Sequence, residues 1–190
     1  MKISYSLLKI IAIIFGIFTL LWMTYDFISN KKNINKNYVK ANEAFLKKNY
    51  NKALKYYNLA LSDNPENIYY LEGKARAFFK IGYLNNAEKL FLKVIKRDET
   101  FVAAIANLGI LYDYKGEYKK ALKYYKLAIN KQSKVTEGMP FLKRFFNNIH
   151  FKPASVKSRS DYLETELNSG KKELNLRNIE IDKQQPDFQM

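Results

Sequence analysis

Side chains able to do covalent or redox chemistry are scarce in this sequence. It has no cysteine and one histidine, His150. That removes thiolate nucleophiles, cysteine zinc sites, disulfides and lipid attachment at cysteine, and a lone imidazole builds no metal cluster. No glycine-rich phosphate loop and no nucleophile with a partner base is present in the sequence. The carboxylates are scattered among lysines, as on solvated helix faces. The expectation is a protein that is not an enzyme, with no cofactor and no metal site. Its remaining chemistry is non-covalent: 13 Phe, 15 Tyr and one Trp beside 33 Lys and Arg. Such residues bind through ring packing, hydrogen bonds and charge.

These residues need a frame, and breakers are rare enough to say which kind. Seven glycines and four prolines in 190 residues, with 47% hydrophobic residues, favour long helices over strands and turns. The net charge of +15 is uneven: residues 31–133 carry 21 basic and 9 acidic side chains, net +12, whereas residues 1–30 carry +1 and residues 134–190 carry +2. An excess of that sign suits anionic lipid, nucleic acid or an acidic partner. The joint richness in Lys, Asn, Ile, Tyr and Phe also matches a biased nucleotide composition, so charge alone does not identify a partner.

Between those ends the chain repeats itself. Ala53, Ala87 and Ala121 are 34 residues apart both times. The same interval relates Ala41, Ala75 and Gly109, all small, and Ala60, Val94 and Ala128. Tyr50, Leu84 and Tyr118 precede the alanine by three positions, and Tyr57, Phe91 and Tyr125 follow it by four. Lys48, Gly82 and Gly116 form a turn column, where glycine suits a left-handed residue after a helix. Each unit therefore reads as two helices, such as Asn67–Ile81 and Leu84–Arg97. Asn64-Pro65 is expected to open the next unit as N-cap and first helical residue. Small columns let paired helices approach closely, and aromatics fill the space between pairs. One pair cannot bury its apolar face alone, but a stack can.

The order of small residue, glycine, aromatic, alanine, aromatic and alanine resembles the tetratricopeptide repeat family. Ala41-Asn42-Glu43-Ala44-Phe45-Leu46-Lys47-Lys48-Asn49-Tyr50 looks like its opening helix. Three units, residues 34–67, 68–101 and 102–135, carry the likeness. Asn37, Lys40 and Lys74 stand where the family prefers bulky apolar residues, and Glu99 and Ser133 replace the closing proline kept at Pro65. The resemblance implies an all-α solenoid of antiparallel helix pairs whose first helices line a concave groove. By that geometry the groove residues are Tyr38, Asn42, Phe45 and Leu46, then Tyr69, Glu72, Arg76, Phe79 and Lys80, then Ala103, Ala106, Ile110, Asp113 and Tyr114. It also implies a test: members that grip chaperone carboxylate tails use a clamp of asparagines and basic residues. Asn42 fits one clamp position, but Tyr38, Gly73, Ala103 and Asn107 do not fit the others.

The flanks differ from the repeats. From Ile3 to Ile28 the chain is apolar enough and, at more than about 20 residues, long enough for a transmembrane helix; Tyr5, Trp22 and Tyr25 lie near its ends. A cleaved signal is the rival, yet Met23-Thr24-Tyr25-Asp26-Phe27-Ile28 lacks the small residues of a cleavage site; a buried core helix is the third option. Residues 1–30 are thus read as an anchor and 31–37 as a polar spacer before repeats spanning 38–135. Lysines flank both ends of the anchor, so the positive-inside rule does not orient it; a short tail left in the cytoplasm puts the repeats outside. After the repeats, residues 139–152 read as a capping helix, with a basic amphipathic helix as its alternative. Residues 153–190 read as a weakly structured extension, with a polar linker at Ser155–Ser160 and a weak helix near Asp161–Asn175 capped by Ser160. Disorder is expected from Glu180.

The functional expectation is a single-pass membrane scaffold or adaptor holding a protein or peptide in its groove. Nucleic acid ranks below that, because Lys47, Lys55, Lys89, Lys93 and Lys123 fall on outer or edge positions. Charge-driven binding of nucleic acid or anionic lipid, and self-association through an open repeat face, are the alternatives.

Overall fold

The computed structural model describes residues 5–29, 35–132 and 155–177. Among them lie eight helices and no strand: α1 (Tyr5–Ser29), α2 (Lys36–Leu46), α3 (Tyr50–Asp63), α4 (Ile68–Lys80), α5 (Leu84–Arg97), α6 (Val102–Tyr114), α7 (Tyr118–Lys131) and α8 (Val156–Leu167). Helices α2 to α7 form three antiparallel pairs. Asparagine side chains start the first three of these helices: Asn35, Asn49 and Asn67 each accept from backbone N–H groups one turn ahead. Asn67 is the cap of α4, so Asn64 is not a cap as expected. Asn64 instead ends α3, and Pro65 and Glu66 form the turn between the units, closed by Asn67 N–H donating to Asn64 O at 3.3 Å.

The turn column behaves identically in all three pairs. Lys48, Gly82 and Gly116 have φ of 58°, 87° and 78°. The next residue then donates back across the helix end, Asn49 to Ala44 O, Tyr83 to Phe78 O and Glu117 to Tyr112 O, at 2.9, 2.9 and 2.8 Å. This is the Schellman closure, which turns the chain sharply enough to lay the second helix against the first. Lys48 takes the conformation without glycine's freedom.

The repeat columns form the core. Ala41, Ala53, Ala60, Ala75, Ala87, Ala121 and Ala128 are fully buried, and so are Tyr57, Phe91 and Tyr125. Burying one such ring contributes about 1.5–3 kcal/mol. The small positions are needed because these rings sit directly on neighbouring backbone. A Cβ placed on Gly109 would lie 2.7 Å from Tyr125 Cδ1, and one on Gly73 would lie 2.4 Å from Tyr57 Cε1. Gly73 was not among the sequence columns; its role comes from Tyr57 reaching into the next unit.

Both flanks are helical. Over Tyr5–Asp26, 22 residues, α1 is long and apolar enough to cross a membrane, and no part of that span is buried within the protein. Its two threonine hydroxyls donate back to their own helix, Thr19 to Gly16 O and Thr24 to Leu21 O, both at 2.8 Å, so neither would meet an apolar surrounding unbonded. The expected capping helix at 139–152 and the expected disorder from Glu180 lie outside the described residues. Within 155–177 the structure differs from the weak extension read from sequence. Ser155 caps α8 through a capping box with Ser158, Ser160 is buried inside the helix, and the helix stops before Gly170 rather than reaching Asn175. Val156 and Leu163 of α8 join the core of repeats two and three.

Candidate binding groove

The first helices touch one another, α2 with α4 and α4 with α6, while each second helix packs behind them. A continuous face built from α2, α4 and α6 results. Its floor is tied together by one chain of contacts through all three repeats. The Arg76 guanidinium lies 4.7 Å above the centre of the buried Phe45 ring, a cation–π contact from repeat two to repeat one. Arg76 Nε is 2.9 and 3.0 Å from the two oxygens of the buried Glu72 carboxylate. Asn107 of repeat three then donates to Glu72 at 2.9 Å. Burying a carboxylate is tolerated only with such partners. The network positions Arg76 and fixes three helices relative to one another.

The walls are aromatic. Tyr38 packs on Tyr70 and Tyr57, with ring centres 4.8 and 6.2 Å apart. Asn42 accepts from the Tyr57 hydroxyl at 2.6 Å. Burial pushes that hydroxyl well above the usual phenol range, so it stays a neutral donor. Tyr69 stands edge-on to Phe101 at 5.3 Å, and Phe79 edge-on to Tyr114 at 5.6 Å, with Lys80 Nζ 5.9 Å from the Phe79 ring. Tyr69 and Tyr114 remain more than half exposed, at 53% and 59%, and Leu46 is exposed at 67%. Ile110 is half-buried. These groups could grip an extended chain by its apolar side chains, with the Lys80 ammonium at the rim to meet a carbonyl or carboxylate.

Repeat three departs from the expected groove. Ala103 and Ala106 are buried, and Asp113 is buried with its carboxylate already taken. Tyr125 donates to it at 3.0 Å, and Arg159 of α8 donates twice at 2.7 Å. Arg159 also reaches Leu176 O at 2.8 Å, and Arg177 donates to Tyr114 O at 3.3 Å. Arg159 was not found from sequence, and Asn107 was noted there only as a clamp position that it does not fit. The signal was available in α6 itself, which has only Asn107 and Asp113 as charged or amide residues among its thirteen; a helix apolar on all sides is buried on all sides. At the clamp positions, Gly73 lies under Tyr57, Ala103 is buried and Asn107 serves Glu72. Among the described residues no group of three or more His, Cys, Asp or Glu could hold a metal.

The comparisons agree with this geometry. Residues 104–134 match the family model for the tetratricopeptide repeat. The chain is 27% identical over 111 residues to the Hsp70-Hsp90 organizing protein of Triticum aestivum, covering 58% of this chain and 19% of that protein. It is 34% identical over 89 residues to tetratricopeptide repeat protein 8 of Caenorhabditis elegans, covering 44% and 18%. The chain thus spans about a fifth of the length of the curated relatives it matches. Among solved structures, the Arabidopsis OM64 TPR domain superposes with a TM-score of 0.50 at 26% identity, over 52% of this chain and 81% of that one. With three helix pairs in one 34-residue register and these likenesses together, residues 35–132 have the tetratricopeptide repeat fold, and residues 104–134 carry that family's sequence pattern.

Proposed function

We propose that the chain holds an extended protein segment in the face built by α2, α4 and α6, at a membrane entered by α1. The observation that carries this reading is the floor Phe45–Arg76–Glu72–Asn107, flanked by the exposed rings of Tyr69 and Tyr114. A rigid, charge-compensated floor with exposed aromatic anchors suits a chain that brings its own backbone groups and a few apolar side chains. The wheat relative is named as an Hsp70-Hsp90 organizing protein. Recognition of a chaperone carboxylate tail does not carry over to this chain, because Tyr38, Gly73, Ala103 and Asn107 supply no basic clamp. The membrane part rests on the length and apolarity of α1 and on none of its apolar span being buried within the protein.

Photoreactive residues placed singly at Tyr69, Phe79 and Tyr114 in intact cells should capture one and the same partner. A photoreactive residue at Asn58, exposed on α3, should not capture it. Different captures from the three groove positions, or equal capture from Asn58, would overturn the groove reading.

A further inference from the structure

The positive charge of the repeats is not shared equally between the two helical layers. The second helices α3, α5 and α7 carry eleven basic and two acidic residues, net +9. The first helices α2, α4 and α6 carry five basic and three acidic, net +2. The two acids of the second layer are occupied: Asp63 accepts from Asn35, and Glu88 holds Tyr112 and Lys115. Lys55, Lys89 and Lys123 fall at one repeat position, 34 residues apart, diametrically away from the buried column of Tyr57, Phe91 and Tyr125. All three are exposed and have no acidic partner among the described residues. Lys96 and Lys119 lie on the same outward face, and Leu59 and Leu92 are exposed among them at 42% and 39%. A biased composition would supply lysines, but would not sort them onto one layer.

We infer that this outward face of α3, α5 and α7 rests on anionic lipid headgroups of the membrane that α1 enters, an inference that rests on the membrane reading above. Two observations select a lipid surface over a nucleic acid. Only six residues separate Ser29 from Lys36, a length that reaches at most about 25 Å, so α2, with α3 packed on it, stays close to the bilayer. The tether makes contact intramolecular and raises the effective concentration of headgroups at the lysines. Exposed leucines between lysines, moreover, suit an interface with an acyl boundary behind the charges, which a phosphate backbone does not offer. The attraction acts within about 8 Å at physiological salt. The face opposite the groove then lies on the membrane, leaving Tyr69 and Tyr114 open.

The native chain has no cysteine and one tryptophan, Trp22 in α1, which gives a clean test on the full chain. A fluorophore on Leu92→Cys reports the outward face in nanodiscs of phosphatidylcholine, with or without phosphatidylglycerol, carrying a headgroup-level quencher. Trp22 reports α1 through brominated acyl chains. The expected result is Trp22 quenching in both discs, with Leu92-site quenching several-fold greater in the anionic disc. High salt should abolish the excess, as should Lys55→Glu/Lys89→Glu/Lys123→Glu; the milder Lys55→Gln/Lys89→Gln/Lys123→Gln should reduce it if the reversal variant fails to fold. Equal Leu92-site quenching in both discs while Trp22 is quenched overturns the lipid contact and leaves the anchor standing. Absence of Trp22 quenching overturns both. Salt-sensitive binding of a single-stranded oligonucleotide, lost in the triple variant without any disc-dependent quenching, would reassign the face to nucleic acid.

Discussion

Helices α4 and α6 are the same element of successive repeats, thirteen residues each and 34 residues apart, but they serve different ends. In α4 five residues are buried and the remaining side chains give the groove Tyr69, Arg76, Phe79 and Lys80. In α6 eleven are buried, and its one carboxylate is locked to Arg159 of α8. Identical register therefore does not confer identical exposure. A helix in the middle of a stack shows one face to the groove, whereas the first helix of the final pair is covered by whichever segment packs on the end of the stack. Composition adapts to each place: α4 mixes rings and charges, while α6 is small and apolar.

The contrast between the two helices is most fragile at Arg159. Removing one side of a buried ion pair strands the other charge, so Arg159→Ala should cost about 3–5 kcal/mol in chemical denaturation. It should also expose the apolar faces of α6 and α7 to a hydrophobic dye. The double change Asp113→Leu/Arg159→Met should recover most of that loss. If Arg159→Ala is silent, α8 does not seal repeat three.

Smaller effects test whether repeats two and three pack alike beneath their different surfaces. Gly73→Ala and Gly109→Ala would press a methyl group into the fully buried rings of Tyr57 and Tyr125. Each should cost about 1–3 kcal/mol from overpacking, despite alanine's better helix propensity. A thermal melt showing either variant unchanged would mean that the interface on that side is looser than the geometry implies.

Where the two repeats meet, Glu88 of α5 accepts from Tyr112 at 2.7 Å and from Lys115 at 2.7 Å. Burial by itself would raise the Glu88 carboxyl, but the bonds from Lys115 and Tyr112 outweigh it and hold it below its usual value. The stabilisation is accordingly present above the unfolded carboxyl pKa and is lost as pH falls from there through the lower folded value. Glu88→Gln should cost about 1 kcal/mol at neutral pH and flatten that part of the acid limb in denaturation measured across pH. An unchanged acid limb would place the junction's strength elsewhere. The smallest expected effect is a gain: Lys48→Gly removes the left-handed strain that repeats two and three avoid with glycine, adding about 0.5–1 kcal/mol by denaturant midpoint.

Residue types and their spacing were enough to define the repeat unit, because two helices per 34 residues need small residues where backbones approach, a ring between pairs and a left-handed turn. Ala53, Ala87, Ala121, Gly82 and Gly116 could be read that way without coordinates, and so could the apolar stretch of α1, since length and apolarity are local properties. The candidate face was legible only as positions: helical register placed Arg76, Phe79 and Tyr114 on first helices, but not their partners. Arg76 meets Glu72 one turn away on its own helix, but the other partners lie far away in the chain and came from packing. Glu72 meets Asn107 across 35 positions and Asp113 meets Arg159 across 46. The 34-residue repeat sets α4 beside α6 but does not fix which side chains meet, because that depends on how one packed helix lies against another. The same packing covers Ala103, Ala106 and Asp113 while it leaves Tyr69 and Tyr114 open. The outward position of Lys55, Lys89 and Lys123 was legible from the repeat, and packing adds Lys96 and Lys119 to the same layer.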